Sequence, residues 1–389
     1  MFISAVGHSE DPDAQGAMDE IREQCEKTLS GHKPKAGIVY AAIDFDHEEL
    51  LTIIDEFWPG LELIGCTTDG EVSSELGFSE DSIVLLLFAS DTIDITAGIG
   101  EGLKDDTKTA CREAVEMASA KSEKDSALCI TLPDVLTGSG QVVVDSLVAE
   151  LGKSIPLIGG AAGDQWQFQK TFQFYGKRVL SGAVPVLLFS GPLEYSFSLG
   201  LGCSLLGSEG SVTKSEGALL LEVDNKPAAD YYRKMIGESA TIGFEFPLAV
   251  LSEDGGIDYL RTPAGDFDPE TGAVALFGDI KEGSKIRPSM ISRDSALASS
   301  AQAGETVVSE YPSGQQPSVA LIFSCAGRKM LLGTRTQEEP NGLDGMLDST
   351  IPYAGFYTYG EICPSIPIED GAKLHNHSLV VALLGERNE

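Results

Sequence analysis

The chain has 389 residues, 42% hydrophobic and 22% charged, the balance of an ordinary soluble globular protein with enough apolar material for more than one core. Its 27 Lys and Arg stand against 60 Asp and Glu, a formal charge of -33. Such a surface repels phosphate backbones and anionic lipid heads, so no nucleic-acid or membrane partner is expected. The cysteines (Cys25, Cys66, Cys111, Cys129, Cys203, Cys325 and Cys363) are odd in number and form no C-x-x-C pair. This fits reduced thiols in a cytoplasmic protein rather than a disulfide framework or a zinc site.

The N-terminus, MFISAVGHSEDPD, lacks the basic start and apolar stretch of a signal peptide. The run IVLLLFA at 83–89 is far shorter than the about 20 residues of a membrane span and has the length of a buried strand. A helical stretch at 18–29 precedes the strand GIVYA at 37–41. Next comes a helix carrying Leu50, Ile53, Ile54, Phe57 and Trp58, with Asp46 and Glu49 as a capping pair; LELIGCTTDGE and DSIVLLLFAS follow. The order then recurs: a helical stretch at 107–120, ALCIT at 127–131, a helix with Val144, Leu147 and Leu151, IPLIGGAAGD at 155–164 and VPVLLFSG at 184–191. VALIFSCAG at 319–327, IPYAGFYTYGE at 351–361 and SLVVALLG at 378–385 read as a third copy. Gly65 to Gly355 and Glu71 to Glu361 share one offset. Any alternating chain of helices and strands also shows apolar strands ending in glycine, so the repeat competes with that simpler account.

Either way the fold class is α/β: internally repeated helix–strand–helix–strand–strand units forming two domains. The composition shifts after CSLLGSEGSVTKSEG, and the boundary is placed near residue 208. A domain of residues 1–208 then holds two repeats, and a domain of 209–389 holds the third. The turn-rich stretch 252–287 reads as hairpins. Gly65, Gly159 and Gly355 are expected in equivalent turns.

No dinucleotide or P-loop fingerprint, H-E-x-x-H or G-x-S-x-G is present, and no catalytic residue or metal ligand is assigned. Ser139 in TGSG reads as a helix cap. The chemistry-bearing side chains collect in the third copy: Cys325 and Arg328 in SCAGR, then Gly355, Phe356, Tyr357, Tyr359 and Glu361 in YAGFYTYGEICP, then His375, Asn376 and His377 in LHNHS. All fall at strand ends, where open α/β sheets bind ligands. Arg suits a carboxylate, Glu an ammonium or hydroxyl, and the rings an apolar body. The competing account is a structural Arg328–Glu361 salt bridge. Gly65, Cys66 and Thr67 in the first copy and Gly159 and Gly160 in the second are expected to close the pocket, or simply to form tight turns.

These strings resemble the FIST family, a prokaryotic sensory module with an N-terminal and a C-terminal part. LIGCTTDGE and IGGAAGD carry the first resemblance. VDNKPAADYY, SCAGR, AGFYTYGEICP and LHNHS carry the second. It spans nearly the whole chain from about residue 20. The resemblance implies a non-enzymatic cytoplasmic sensor of a small ligand, an amino acid or related metabolite, in signal transduction. With no output domain in the sequence, it implies a separate signalling partner such as a kinase, a cyclase or a chemotaxis component. Some members bind haem and sense nitric oxide, so a haem-based sensor using His375 or His377 is the alternative, although no cofactor is expected. A thiol-dependent hydrolase or transferase using Cys325 or Cys66 is the third reading, and it lacks a His/Asp companion at a recognisable spacing.

Overall fold

The computed structural model describes residues 1–237, 242–345, 350–364 and 371–387. The first stretch of chain runs β1 (Phe2–Ser9), α1 (Ala14–Leu29), β2 (Ala36–Ala41), α2 (His47–Phe57), β3 (Glu62–Thr67), the hairpin β4 (Glu71–Ser73) and β5 (Gly77–Ser79), and β6 (Ile83–Ser90). The second runs β7 (Asp94–Glu101), α3 (Leu103–Ser119), β8 (Ser126–Thr131), α4 (Gly140–Leu151), β9 (Leu157–Gly160), the hairpin β10 (Gln173–Tyr175) and β11 (Arg178–Leu180), and β12 (Ala183–Ser190).

After β13 (Leu193–Gly200) a separate sheet is inserted. It comprises β14 (Cys203–Leu205), β15 (Gly210–Glu216), β16 (Leu219–Val223), β17 (Lys226–Pro227), β18 (Leu248–Leu251), β19 (Ile257–Arg261), β20 (Val274–Ala275) and β21 (Lys285–Ile291), with α5 (Ala228–Ile236). The β18–β19 pair supplies a hairpin in the turn-rich stretch. The chain then resumes with α6 (Arg293–Glu310), β22 (Val319–Cys325), α7 (Ala326–Leu332), a 3₁₀ turn (Gly333–Arg335), α8 (Glu338–Asp344), β23 (Tyr353–Thr358), the hairpin β24 (Glu361–Pro364) and β25 (Ala372–His375), and β26 (Leu379–Glu386).

Three six-stranded sheets have the same plan. Their orders are β1-β6-β2-β3-β10-β11, β7-β12-β8-β9-β24-β25 and β13-β26-β22-β23-β4-β5. In each, one parallel pair (β2–β3, β8–β9, β22–β23) is flanked by antiparallel strands. The last two strands of each sheet come from a different stretch of chain, so the three hairpins are exchanged in a cycle. Alternation of apolar side chains along each strand explains the layering. In the first sheet Ile38, Tyr40, Ile64, Leu86 and Phe88 face a core shared by all three sheets. Their neighbours Val39, Leu63, Leu85 and Leu87 face α1 and α2. A fully buried Leu or Ile contributes about 1.5–3 kcal/mol, so two-faced burial is what holds these strands central.

Caps set the helix starts: Asp13, Asp46 and Ser139 each accept a first-turn backbone N–H. Ser139 is thus a cap, as its sequence context indicates. Gly65, Gly159 and Gly355 lie inside β3, β9 and β23 rather than in turns. Each stands opposite one residue of the parallel partner strand (Val39, Thr131 and Ile322) and one of the exchanged hairpin (Phe174, Ile362 and Val72). A Cβ there would lie 2.3, 2.0 and 1.9 Å from the partner carbonyl oxygen, so close backbone approach is the reason for glycine. Among the described residues no helix is long and apolar enough to cross a membrane.

Candidate functional site

A cavity of about 300 Å3 opens where the inserted sheet meets the three-sheet scaffold. The scaffold contributes the β8–α4 loop with Ser139, the loop carrying Trp166 and Phe168, and the start of α7 at Cys325 and Gly327. It also contributes Thr358, Tyr359 and Asn376; the insertion contributes Phe244, Thr262 and Phe277–Asp279. Cys325, Tyr359 and Asn376 are therefore the sequence-selected residues that line it.

Its aromatic wall is held by local backbone strain. Gln165, Trp166 and Phe168 have φ of 52, 62 and 49°, a left-handed conformation that costs a non-glycine residue about 1–2 kcal/mol. Asp164 fixes this loop. Its carboxylate accepts the N–H groups of Phe168 (2.9 Å), Gln169 (2.7 Å) and Lys170 (3.0 Å) and the Tyr359 hydroxyl (2.6 Å). The same hydroxyl accepts the Trp166 backbone N–H at 2.7 Å. Phe168 consequently stacks between Tyr359 (4.8 Å, 20°) and Phe277 (5.6 Å, 18°), and Trp166 meets Phe244 edge-on at 5.1 Å. Sequence reasoning passed over Trp166, Phe168, Phe244, Phe277 and Thr262. Five consecutive aromatic or amide side chains after AAGD, QWQFQ at 165–169, were the available signal for the first two.

The remaining selected residues sit elsewhere. Arg328 is fully buried and bonded to Glu339 through Nε (3.0 Å) and Nη2 (2.7 Å), with further bonds to Ser300 and the Ala296 carbonyl. Its donors are committed to that cluster, and Glu339, not Glu361, is its partner. Tyr357 joins the same cluster, donating to Glu339 at 2.9 Å. Phe356 is core, stacked on Tyr40 at 4.8 Å. Gly65, Cys66, Thr67, Gly159, Gly160 and Gly355 belong to strands of the scaffold and do not line the cavity. Thr67 ties β3 to Phe172 by accepting its N–H at 3.0 Å.

His375 is buried with Nε2 on the Cys363 carbonyl (3.2 Å), and His377 is buried behind Gly327 with neither ring nitrogen bonded. Neither ring lines the cavity. They offer haem iron no open axial position, so these side chains do not fit haem. Burial pushes the Cys325 and Cys66 thiols well above the ordinary range, with Glu361 and Glu71 adding to the effect. Both are held as thiols, the opposite of an activated nucleophile. Among the described residues no three His, Cys, Asp or Glu side chains gather as a metal site.

Glu361 occupies the first position of an exchanged hairpin, where its Oε2 accepts the Ser378 N–H (3.0 Å) and hydroxyl (2.7 Å). Glu71 does the same with Ser82 in the first hairpin. Gln173 stands at the matching place in the remaining one and accepts from Ala183. Burial pushes Glu71 up to about 7 and Glu361 up to about 8. A carboxyl with a raised folded-state value binds its proton more tightly folded than unfolded, so stability falls as pH rises towards that value. Below pH 6.5 the buried His8, His375 and His377, lowered by desolvation to about 4, 4 and 3, act in the opposite sense. The carboxyl effect is therefore expected alone between pH 6.5 and 8. Glu361→Gln should flatten this slope and raise the urea midpoint at pH 8 above that of the unaltered chain. An unchanged slope would refute the assignment.

Residues 35–226 match the FIST N domain and residues 228–364 the FIST C domain. The Methanocaldococcus jannaschii protein MJ1623 is 25% identical over 354 residues, covering 86% of this chain and 67% of its own. The Mycobacterium tuberculosis protein Rv0628c is 25% identical over 376 residues, covering 92% of this chain and 94% of its own. Among solved structures, a cyanuric acid hydrolase from A. caulinodans aligns over 100% of both chains at 10% identity and a TM-score of 0.35. With both domain models matched in order along most of its length, the chain belongs to the FIST family.

Proposed function

We propose that this protein is a cytoplasmic small-ligand-binding sensory protein of signal transduction, without a catalytic role, that passes its ligand state to a separate signalling partner. The observation that carries the reading is the placement of the cavity. Rings from the scaffold (Trp166, Phe168, Tyr359) and from the inserted sheet (Phe244, Phe277) wall it together. A molecule bound there touches both bodies, so its binding energy favours one arrangement of the insertion over others. A strained loop tied down by a buried carboxylate is a further sign of a site whose geometry is preset.

The test is mass spectrometry of the protein as purified under native conditions, followed by thermal denaturation with the molecule so recovered. A ligand at a hundredfold excess over Kd adds about 2.7 kcal/mol to the native state, a clear upward shift of Tm. Phe168→Ala removes a half-exposed ring and should leave the unliganded Tm near that of the unaltered chain while abolishing the shift. An undiminished shift in Phe168→Ala would place binding elsewhere and defeat the reading.

A further inference from the structure

We infer that the cavity takes a flat, uncharged ring compound bearing an amide-like edge, rather than a zwitterion or an ion; this rests on the ligand-binding reading above. The planes of Tyr359, Phe168, Phe277 and Phe244 lie nearly parallel, at 20, 18 and 11° to one another in turn. A flat ligand extends such a stack, gaining about 0.5–1.5 kcal/mol per ring contact beyond the area it buries.

Charge complementarity excludes an ion. Among the described residues no Lys, Arg or His side chain lines the cavity, and Asp279 is the one acidic side chain that does. Its carboxylate already accepts the Ser139 hydroxyl at 2.5 Å. Behind the wall lies Arg261, fully buried, whose Nε donates to the Asp279 carbonyl at 2.8 Å and would be 3.0 Å from a Cβ on Gly278. Carboxylate and guanidinium offset one another across that wall. A charged ligand would give up its hydration and find no counter-charge in return.

The polar groups that do face the cavity are neutral. Thr262 is 2% exposed and its hydroxyl has no hydrogen-bond partner among the described residues, and Asn376 is also 2% exposed. Asn376 Oδ1 accepts the Thr262 N–H at 3.4 Å and its Nδ2 donates to the His375 carbonyl at 3.0 Å, leaving one amide hydrogen uncommitted. A buried hydroxyl left unbonded costs about 1–3 kcal/mol, which a ligand edge offering both a donor and an acceptor recovers on binding.

The test uses flat probes of one shape and three charges on the full chain: benzamide, benzoate and benzamidinium, with cyclohexanecarboxamide as the non-flat neutral control and phenylalanine as the zwitterion. Affinities are read by saturation-transfer NMR and by Tm. Benzamide should bind at least about tenfold more tightly than the other four. Thr262→Val should weaken benzamide by about tenfold without lowering the unliganded Tm, because it removes a hydroxyl that no protein group among the described residues uses. Preference for benzoate, benzamidinium or phenylalanine, or equal binding of cyclohexanecarboxamide, would overturn the inference and leave the ligand-binding reading standing. Failure of all five probes to bind would overturn it too, and a molecule recovered from the native protein would then decide the broader reading separately.

Discussion

Gly355→Ala should cost more than about 4 kcal/mol and leave little soluble protein, one of the largest effects a single methyl group can have here. The added Cβ would lie 1.9 Å from the Ile322 carbonyl oxygen and 2.7 Å from its carbon. Those are backbone atoms of the neighbouring strand β22, so relief requires parting the β22–β23 pair that anchors the third sheet. The total stability of a domain is only about 5–15 kcal/mol. Gly265→Ala is the control, since nothing lies within 4 Å of a Cβ there. Soluble yield and urea midpoint of the two variants separate the outcomes, and a Gly355→Ala protein as stable as the control would show that β22 and β23 are not so closely paired.

Arg328→Ala should lower stability by about 3–5 kcal/mol in the absence of any ligand, because it leaves Glu339 as an uncompensated buried charge. Burial by itself would push the Glu339 carboxyl up, but the guanidinium and the Ser324 and Ser300 hydroxyls outweigh it and hold the value below that of an ordinary glutamate. A depressed folded-state value means that the pair stabilises above the unfolded value of 4.5 and that this is lost as pH falls. The deficit of Arg328→Ala should therefore be greatest near neutral pH and shrink in acid. Replacing both partners, as in Arg328→Met with Glu339→Leu, should recover most of the loss, since apolar residues of similar volume need no counter-charge. A near-native midpoint for Arg328→Ala would instead mean that its guanidinium is free to serve a ligand.

Cavity composition and the ion-pair cluster differ in how far the sequence exposes them. SCAGR and AGFYTYGE mark the right neighbourhood, and Cys325, Tyr359 and Asn376 are found at the cavity. Arg328 and Tyr357, chosen for the same reasons, bond instead to Glu339 on α8. Nothing local in the chain names that partner: α8 begins only a few residues after α7, yet Glu339 meets Arg328, Ser324, Ser300 and Tyr357 through folding of four separate elements. The aromatic wall is likewise assembled from positions 166, 168, 244, 277 and 359, each unremarkable alone.

Local pattern alone determined the α/β class, the alternation of helices and strands and the helix caps at Asp46 and Ser139, and it marked the glycines at 65, 159 and 355 as equivalent while assigning them to turns instead of strands. Those depend on side-chain periodicity and on backbone contacts between adjacent elements, which a linear chain displays directly. The tertiary structure decided what long-range pairing controls: the cyclic exchange of the β4–β5, β10–β11 and β24–β25 hairpins, the cavity beneath the inserted sheet and the partner of Arg328. A strand records which of its faces is buried but not which sheet edge it completes, and a charged side chain records its need for a counter-charge but not the distant residue that meets it.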